Sequence, residues 1–157
     1  MFLTVHSLGG IIIGQQTENI WLAFLTGIFF HFFLDMIPHG DDKIIVGKDG
    51  MDEKKNAILA FKMGAVDGLI MIGLLSGLYF FNLFSLSLAV IAAVIGSVLP
   101  DFITTLYILT KNKILKEYVS FHWKIHFAFS KSTVSIKTGM LIQVVFLFTF
   151  ISIIKFL

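Results

Sequence analysis

Three apolar segments of the chain each carry an aspartate, at Asp35, Asp67 and Asp101. His31 lies four residues before Asp35, so the two side chains share one face of a helix. An ionised group in the hydrocarbon of a bilayer is costly, and such residues mark functional sites. Carboxylates and imidazoles are also the ligands that zinc and similar ions accept from proteins. The sequence therefore predicts buried metal or proton chemistry.

The composition indicates an integral membrane protein. Of the 157 residues, 57% are hydrophobic and only 14% are charged, whereas soluble domains carry roughly 25% charged residues. This length predicts one membrane domain over residues 1–157.

The residue types that are missing narrow the chemistry. Cysteine is absent, which excludes disulfides, thiolate metal ligands and a cysteine nucleophile. All basic side chains besides histidine are lysines, so no arginine can clamp a phosphate. The lysines form no stripe with interleaved aromatic residues, which excludes nucleic acid as a predicted partner.

The apolar segments predict an all-α membrane bundle of four or five transmembrane helices. The second to fifth segments are long enough to span a bilayer core, which takes roughly 20 residues. The first segment is short. An amphipathic helix on the cytoplasmic surface is expected in the basic stretch from Thr110 to Lys137. The five segments are Phe2–Gly14, Ile20–Pro38, Ala57–Phe81, Leu86–Leu109 and Thr138–Phe156.

The lysines predict the orientation. Ten of the twelve lie between the second and third segments or between the fourth and fifth, while the other two connections have none. The positive-inside rule places both lysine-bearing loops in the cytoplasm, which predicts a multi-pass protein of the inner cell membrane. His6, His31, Asp35, Asp67 and Asp101 then lie at a similar depth, on the order of 10–15 Å inside the cytoplasmic boundary. We therefore expect these polar groups to converge.

Two helices carry features that bear on this convergence. Pro100 leaves the Gly96 carbonyl without its helical partner, so a kink with exposed polar backbone is expected beside Asp101. Gly64 and Gly68 flank Asp67, and Gly73 and Gly77 repeat the spacing. Small residues at this spacing favour close helix packing, with Asp67 facing the centre of the bundle.

The remaining histidines extend the candidate metal site. His39 follows Pro38 and is expected in a turn rather than in the helix. His122 and His126 share one face of the amphipathic segment. Histidines at an interface also occur without a ligand, so we predict His126 as a ligand and leave the role of His122 open. His6 gains its interest from the expected convergence.

Several of these motifs resemble a known family. The sequences HSLG from His6, HFFLDMIPH from His31, GSVLPD from Gly96 and FHWKIH from Phe121 resemble the bacterial membrane-bound metal-dependent hydrolases of the YdjM type. That family is distantly similar in its motifs to zinc-dependent phospholipase C. The resemblance implies a metal site of His6, His31, Asp35 and Asp101, with His126 as the late histidine.

The leading hypothesis is a membrane-embedded metal-dependent hydrolase of a phosphoester or related ester, with a lipid headgroup as the expected substrate and membrane lipids as partners. Zinc is the predicted ion, with manganese and iron as alternatives, and Asp67 is the predicted general base. The alternative is a metal- or proton-coupled transporter or a metal-binding membrane protein, because intramembrane Asp and His also form ion pathways. A third hypothesis is a structural subunit whose polar cluster locks helix packing. Predicted metal ligands are His6, His31, Asp35, His39, Asp101 and His126.

Overall fold

The computed structural model describes residues 1–40, 53–128 and 134–157, and these ranges form helices with no strand. The all-α prediction is confirmed. Most of the charged loop predicted after His39 lies outside the described residues. The helices are α1 (Leu3–Gly14), α2 (Ile20–Asp35), α3 (Glu53–Phe80), α4 (Leu88–Thr110), α5 (Lys113–His126) and α6 (Ile136–Phe156).

Three helices are long and apolar enough to cross a membrane: α3 over Ala57–Phe80, α4 and α6. The apolar helices α1 and α2 have 12 and 16 residues. The second segment was expected to span, but α2 ends at Asp35 with Met36 as its C-cap. Pro38 explains this end, because a proline disfavours helical geometry in the residue before it. At 1.5 Å per residue, α2 is about 24 Å long, shorter than a typical hydrocarbon core.

Helices α1, α2 and α4 form the closely packed part of the bundle. A side chain at Gly27 of α2 would overlap the carbonyl oxygen of Ala93 in α4, and one at Gly96 of α4 would overlap that of Phe24. Gly10 of α1 meets the backbone of α4 at Val94 in the same way. Glycines at these crossings let the helix backbones touch. The side chains of α1, α2 and α4 on the neighbouring turns are thereby held at fixed positions.

Helix α3 is packed differently. A Cβ atom added at Gly64, Gly68, Gly73 or Gly77 would meet nothing within 4 Å among the described residues. The 18-residue apolar window by which α3 qualifies as a membrane span contains no buried residue. The expectation that these glycines serve close helix packing is therefore wrong for the chain as described.

The other two helices close the bundle around α1. Phe150 and Ile154 of α6 join Leu8 and Ile11 of α1 in the largest buried apolar cluster. Helix α5 is amphipathic, as predicted: His122 is buried, while other positions of the helix are exposed to the surroundings. It begins after the left-handed residue Lys111, with Asn112 as the N-cap. Helix α4 continues through Pro100 to its end at Thr110.

Candidate metal centre

Among the described residues, two groups of side chains have ligand atoms close enough to hold a metal ion. The first group is His31, Asp35, Asp101 and His122, and the second is Asp35, His39 and His126; within each group the ligand atoms lie within 4.8 Å of one another. Asp35 belongs to both groups. The two candidate positions are therefore adjacent and share one carboxylate.

The first group joins three helices at the two carboxylates. His31 Nε2 lies 3.2 Å from Asp35 Oδ2 and 3.8 Å from Asp101 Oδ1. His122 Nε2 lies 3.0 Å and 4.0 Å from the same two oxygens. His31 and Asp35 are both almost fully buried, whereas 26% of the Asp101 side chain is exposed. Asp101 thus has the most open carboxylate of this group.

The second group lies on the other oxygen of Asp35. His39 Nε2 is 3.8 Å from Asp35 Oδ1 and 3.1 Å from His126 Nε2. The amino group of Met1 lies 2.6 Å from both Asp35 Oδ1 and His39 Nε2. Helices α2 and α5 and the turn after α2 therefore meet at one carboxylate.

Three of the histidines are oriented through Nδ1. His31 Nδ1 donates to the Ser97 carbonyl over 2.7 Å, and His39 Nδ1 donates to the Ile37 carbonyl over 2.6 Å. The Thr104 hydroxyl donates to the Pro100 carbonyl over 3.0 Å, so its oxygen can accept from His122 Nδ1, which is 2.9 Å away. Each of these bonds places a proton on Nδ1, so Nε2 is the atom that faces a carboxylate at His31 and His122 and the Met1 amino group at His39. Metal-bound histidines are oriented in this way.

His6 reaches the centre from α1. Its Nε2 lies 3.1 Å from Asp35 Oδ1 and 3.9 Å from Asp101 Oδ2, and its ring stacks on that of His31 at 4.1 Å between centroids. The side chain is fully buried. His6 thus contacts both carboxylates of the first group from the opposite side.

The donor atoms fit a divalent ion. Ligand atoms about 2.0–2.1 Å from a tetrahedral zinc lie about 3.3 Å from one another. The nitrogen–oxygen pairs of the first group, at 3.0 to 4.0 Å, lie on both sides of this value. His31 Nε2 is buried and has no hydrogen-bond partner in the described part of the chain. The Met1 amino group balances one of the two carboxylate charges, and buried charges are otherwise paired or bound to metals.

Asp67 lies apart from both groups. Its carboxylate accepts hydrogen bonds from the Leu3 amide and the Thr4 hydroxyl, at the start of α1. The N-cap residue of α1, Phe2, has no side-chain capping bond, so Asp67 satisfies one amide, that of Leu3, which α1 cannot satisfy itself. The structure thus places Asp67 as an anchor of the helix that carries His6. A role of Asp67 as the general base stays a prediction from the sequence.

Two contributors are not among the metal ligands predicted from the sequence. The role of His122 was left open, yet it approaches both carboxylates more closely than does His126, which lies beside His39. Thr104 orients His122. Its position three residues after Asp101 places it on the same helix face, which is the signal that could have indicated it.

Tyr118 adds a further polar group near the centre. Its ring lies 6.3 Å from that of His122, and burial, together with the charges of Asp101 and Asp35, raises the pKa of its hydroxyl. The hydroxyl therefore remains a neutral donor.

A cavity of about 340 Å³ opens onto the carboxylates. Asp35, Asp101, His122 and His126 line it beside the candidate metal centre, and residues 1–3, Trp123 and residues of α3 and α4, with Asp67 among them, line the rest. Its volume lies within the range of roughly 300–1,000 Å³ that is typical of ligand pockets. A small molecule can thus reach the candidate metal centre.

The fold and the site together define an all-helical protein with membrane-spanning helices and buried His and Asp groups that can hold a metal ion. Comparison of the chain with protein-family models, with curated proteins and with solved structures found no match. The resemblance to membrane-bound metal-dependent hydrolases therefore stays a prediction from the motifs.

Proposed function

We propose that the chain is a membrane-embedded, metal-dependent hydrolase of a phosphoester or related ester, with zinc as its ion. The observation that carries this proposal is the arrangement of the histidines. Three of them have Nδ1 fixed by a hydrogen bond and Nε2 turned toward Asp35 or Asp101, at the end of a cavity. A cluster that only locked helix packing would not need an opening of this kind.

The candidate ligands divide between two ions. Asp35, His31, Asp101 and His122 would hold one ion. His39 and His126 would hold a second ion that shares Asp35 and displaces the Met1 amino group from its contacts with Asp35 and His39. When bound, such an ion lowers the pKa of a water molecule and polarises the substrate oxygen. Asp101 is the carboxylate of the first group that is open to the cavity, so it is placed to accept a proton from a water molecule there.

The proposal includes an orientation in the membrane. The described lysines at the ends of the spans include Lys55 near the start of α3, Lys111 after α4 and Lys137 at the start of α6. They support a cytoplasmic location for these ends by the positive-inside rule. The candidate metal centre would then lie in the cytoplasmic half of the inner cell membrane.

Metal content per chain tests the proposal. Elemental mass spectrometry on detergent-purified protein should find near-stoichiometric zinc, manganese or iron in the wild type and in Glu18→Ala, a control that removes an exposed carboxylate. The double variant His31→Ala/Asp101→Ala, verified as folded by circular dichroism, should lose the metal. Phosphate release from a panel of phosphoesters should fall with the metal.

Two other results would reject the hydrolase. Absence of metal after reconstitution with each ion would leave a structural polar cluster. Stoichiometric metal without hydrolysis, together with metal uptake into proteoliposomes that carry the wild type, would establish a transporter instead.

A further inference from the structure

The cavity at the metal centre continues as an apolar cleft between α3 and α4. Ala60, Gly64 and Gly68 form part of the α3 wall, and Phe102 and Ile108 form part of the α4 wall. The glycines matter here because nothing among the described residues lies within 4 Å of the side-chain position at either one. Where two helices cross at a glycine, the neighbouring helix fills the space beside it. At Gly64 and Gly68 this space is open.

The rim of this cleft lies on the membrane-facing surface. Leu69 is 70% exposed, Ile72 is 58% exposed, and Phe102 is 56% exposed, and all three line the cavity. Both helices are long and apolar enough to span a membrane. Exposed apolar side chains on such helices contact lipid, so the cleft opens sideways into the hydrocarbon.

The two ends of the cavity differ in chemistry. One end presents Asp35, Asp101 and His122, and the other presents mostly aliphatic and aromatic side chains, with Asp67 on the α3 wall. A ligand that matches both ends has a polar, metal-binding headgroup joined to an alkyl chain. A free phosphoester would leave the apolar part of the cavity unfilled.

We propose that the α3–α4 cleft binds the alkyl chain of an anionic amphiphile whose phosphoester headgroup reaches the metal centre, with Gly64 and Gly68 providing the room for the chain. This inference rests on the proposed hydrolase function and names its substrate class. The ligand enters from the bilayer, between the two helices, and its chain stays in contact with the lipid phase. Gly64 and Gly68 are then specificity-determining residues.

Tryptophan fluorescence can report on the cleft directly. Trp123 lines the cavity, and the chain has one other tryptophan, Trp21, which is 76% exposed on α2. In a Trp21→Phe background, a brominated alkyl chain that enters the cleft quenches Trp123. The probe is dibromolauryl phosphonate, added to zinc-loaded protein in nanodiscs that hold one chain in phosphatidylethanolamine and phosphatidylglycerol. Butyl phosphonate, which has the same headgroup and almost no chain, serves as the competitor.

The matched variants are Gly68→Leu and Gly73→Leu. Both add the same side chain to open space on α3, but Gly68 lines the cavity and Gly73 does not. We expect saturable quenching in the background protein and in Gly73→Leu. Gly68→Leu should weaken the probe by about tenfold, the change expected when roughly two methylene groups lose their burial. Butyl phosphonate should compete only at much higher concentration.

The outcomes separate the cleft from the metal chemistry. Quenching that rises linearly without saturation, or equal affinity in Gly68→Leu and Gly73→Leu, would overturn the cleft as a chain site. Equal, saturable and Gly68-sensitive binding before and after removal of zinc would retain the cleft and reject the metal-dependent function. If Gly68→Leu fails to fold by circular dichroism, Gly64→Leu repeats the test one helical turn earlier on the same wall.

Discussion

Helices α2 and α3 both carry glycines, but the two helices use them in opposite ways. In α2, Gly27 lies against the backbone of α4, which in turn accepts α2 at Gly96. In α3, Gly64 and Gly68 have open space where a side chain would lie. The first arrangement fixes backbones at contact distance, and the second leaves a gap beside the candidate metal centre.

This difference shows that the spacing of small residues does not by itself specify a helix contact. The candidate ligands His31 and Asp35 lie on the closely packed helix, where their positions are well determined. A functional constellation on a rigid element keeps its geometry more precisely than one on a mobile element. The loosely packed α3 supplies access instead, which a fully packed bundle would not allow.

Among variants of the closely packed region, Asp35→Asn is expected to reduce metal affinity the most. Asp35 contacts His6, His31 and His122, and it belongs to both candidate metal groups. We expect metal affinity to fall by more than about 100-fold, beyond the 10–100-fold loss that outer-shell changes cause. Competition with a chromophoric chelator measures this change. Retention of stoichiometric metal in the folded variant would contradict the site.

A smaller effect is expected from Thr104→Val, which keeps the shape of the side chain and removes the hydroxyl that orients His122. Metal affinity should fall by about 10–100-fold. Thr105→Val is the control, because Thr105 is the neighbouring residue on α4 and lines the same cavity. An equal loss in both variants would show that Thr104 has no specific orienting role.

Gly96→Ala tests the close contact between α2 and α4. The added methyl group would overlap the Phe24 carbonyl, so the helices must move apart. We expect the free energy of unfolding to fall by about 1–3 kcal/mol, the usual cost of overpacking. Denaturant titration in mixed micelles, followed by circular dichroism, gives this value. Unchanged stability would mean that the helices have room at this crossing.

Asp67→Asn separates anchoring from base catalysis. The variant keeps one oxygen acceptor for the two donors, Leu3 and Thr4, so stability should fall by about 1 kcal/mol, the typical cost of losing a helix cap. Metal content should stay stoichiometric. Loss of hydrolysis by about 10²–10⁴-fold at full metal occupancy would establish Asp67 as the general base, and activity near the wild-type level would reject that role.

The smallest effect, of opposite sign, is expected from Gly68→Ala. Alanine loses less backbone entropy than glycine in a helix, and the added methyl group meets open space. The free energy of unfolding should rise by roughly 0.5–1 kcal/mol. The same denaturant titration compares this variant with Gly96→Ala. A loss of stability in Gly68→Ala would show that α3 has a packing partner at this position.

The sequence predicted the helical class and much of the polar cluster because both depend on local patterns. The four-residue spacing of His31 and Asp35 and the lysine-defined depth of the segments required no tertiary information. Other features depend on which helices become neighbours. These are the open space beside Gly64 and Gly68, the distances from His122 to the carboxylates, and the contacts of Asp67. A single sequence does not encode these distances in its spacing.

The position of α5 has a consequence for assembly. This surface helix contributes His122 and His126, while α2 contributes the carboxylate between them. An ion bound there would tie the surface helix to the bundle, and metal binding of this kind is coupled to folding. The membrane segments can then insert first. Helix α5 would dock on the bundle only when metal is supplied, which would complete the candidate metal centre.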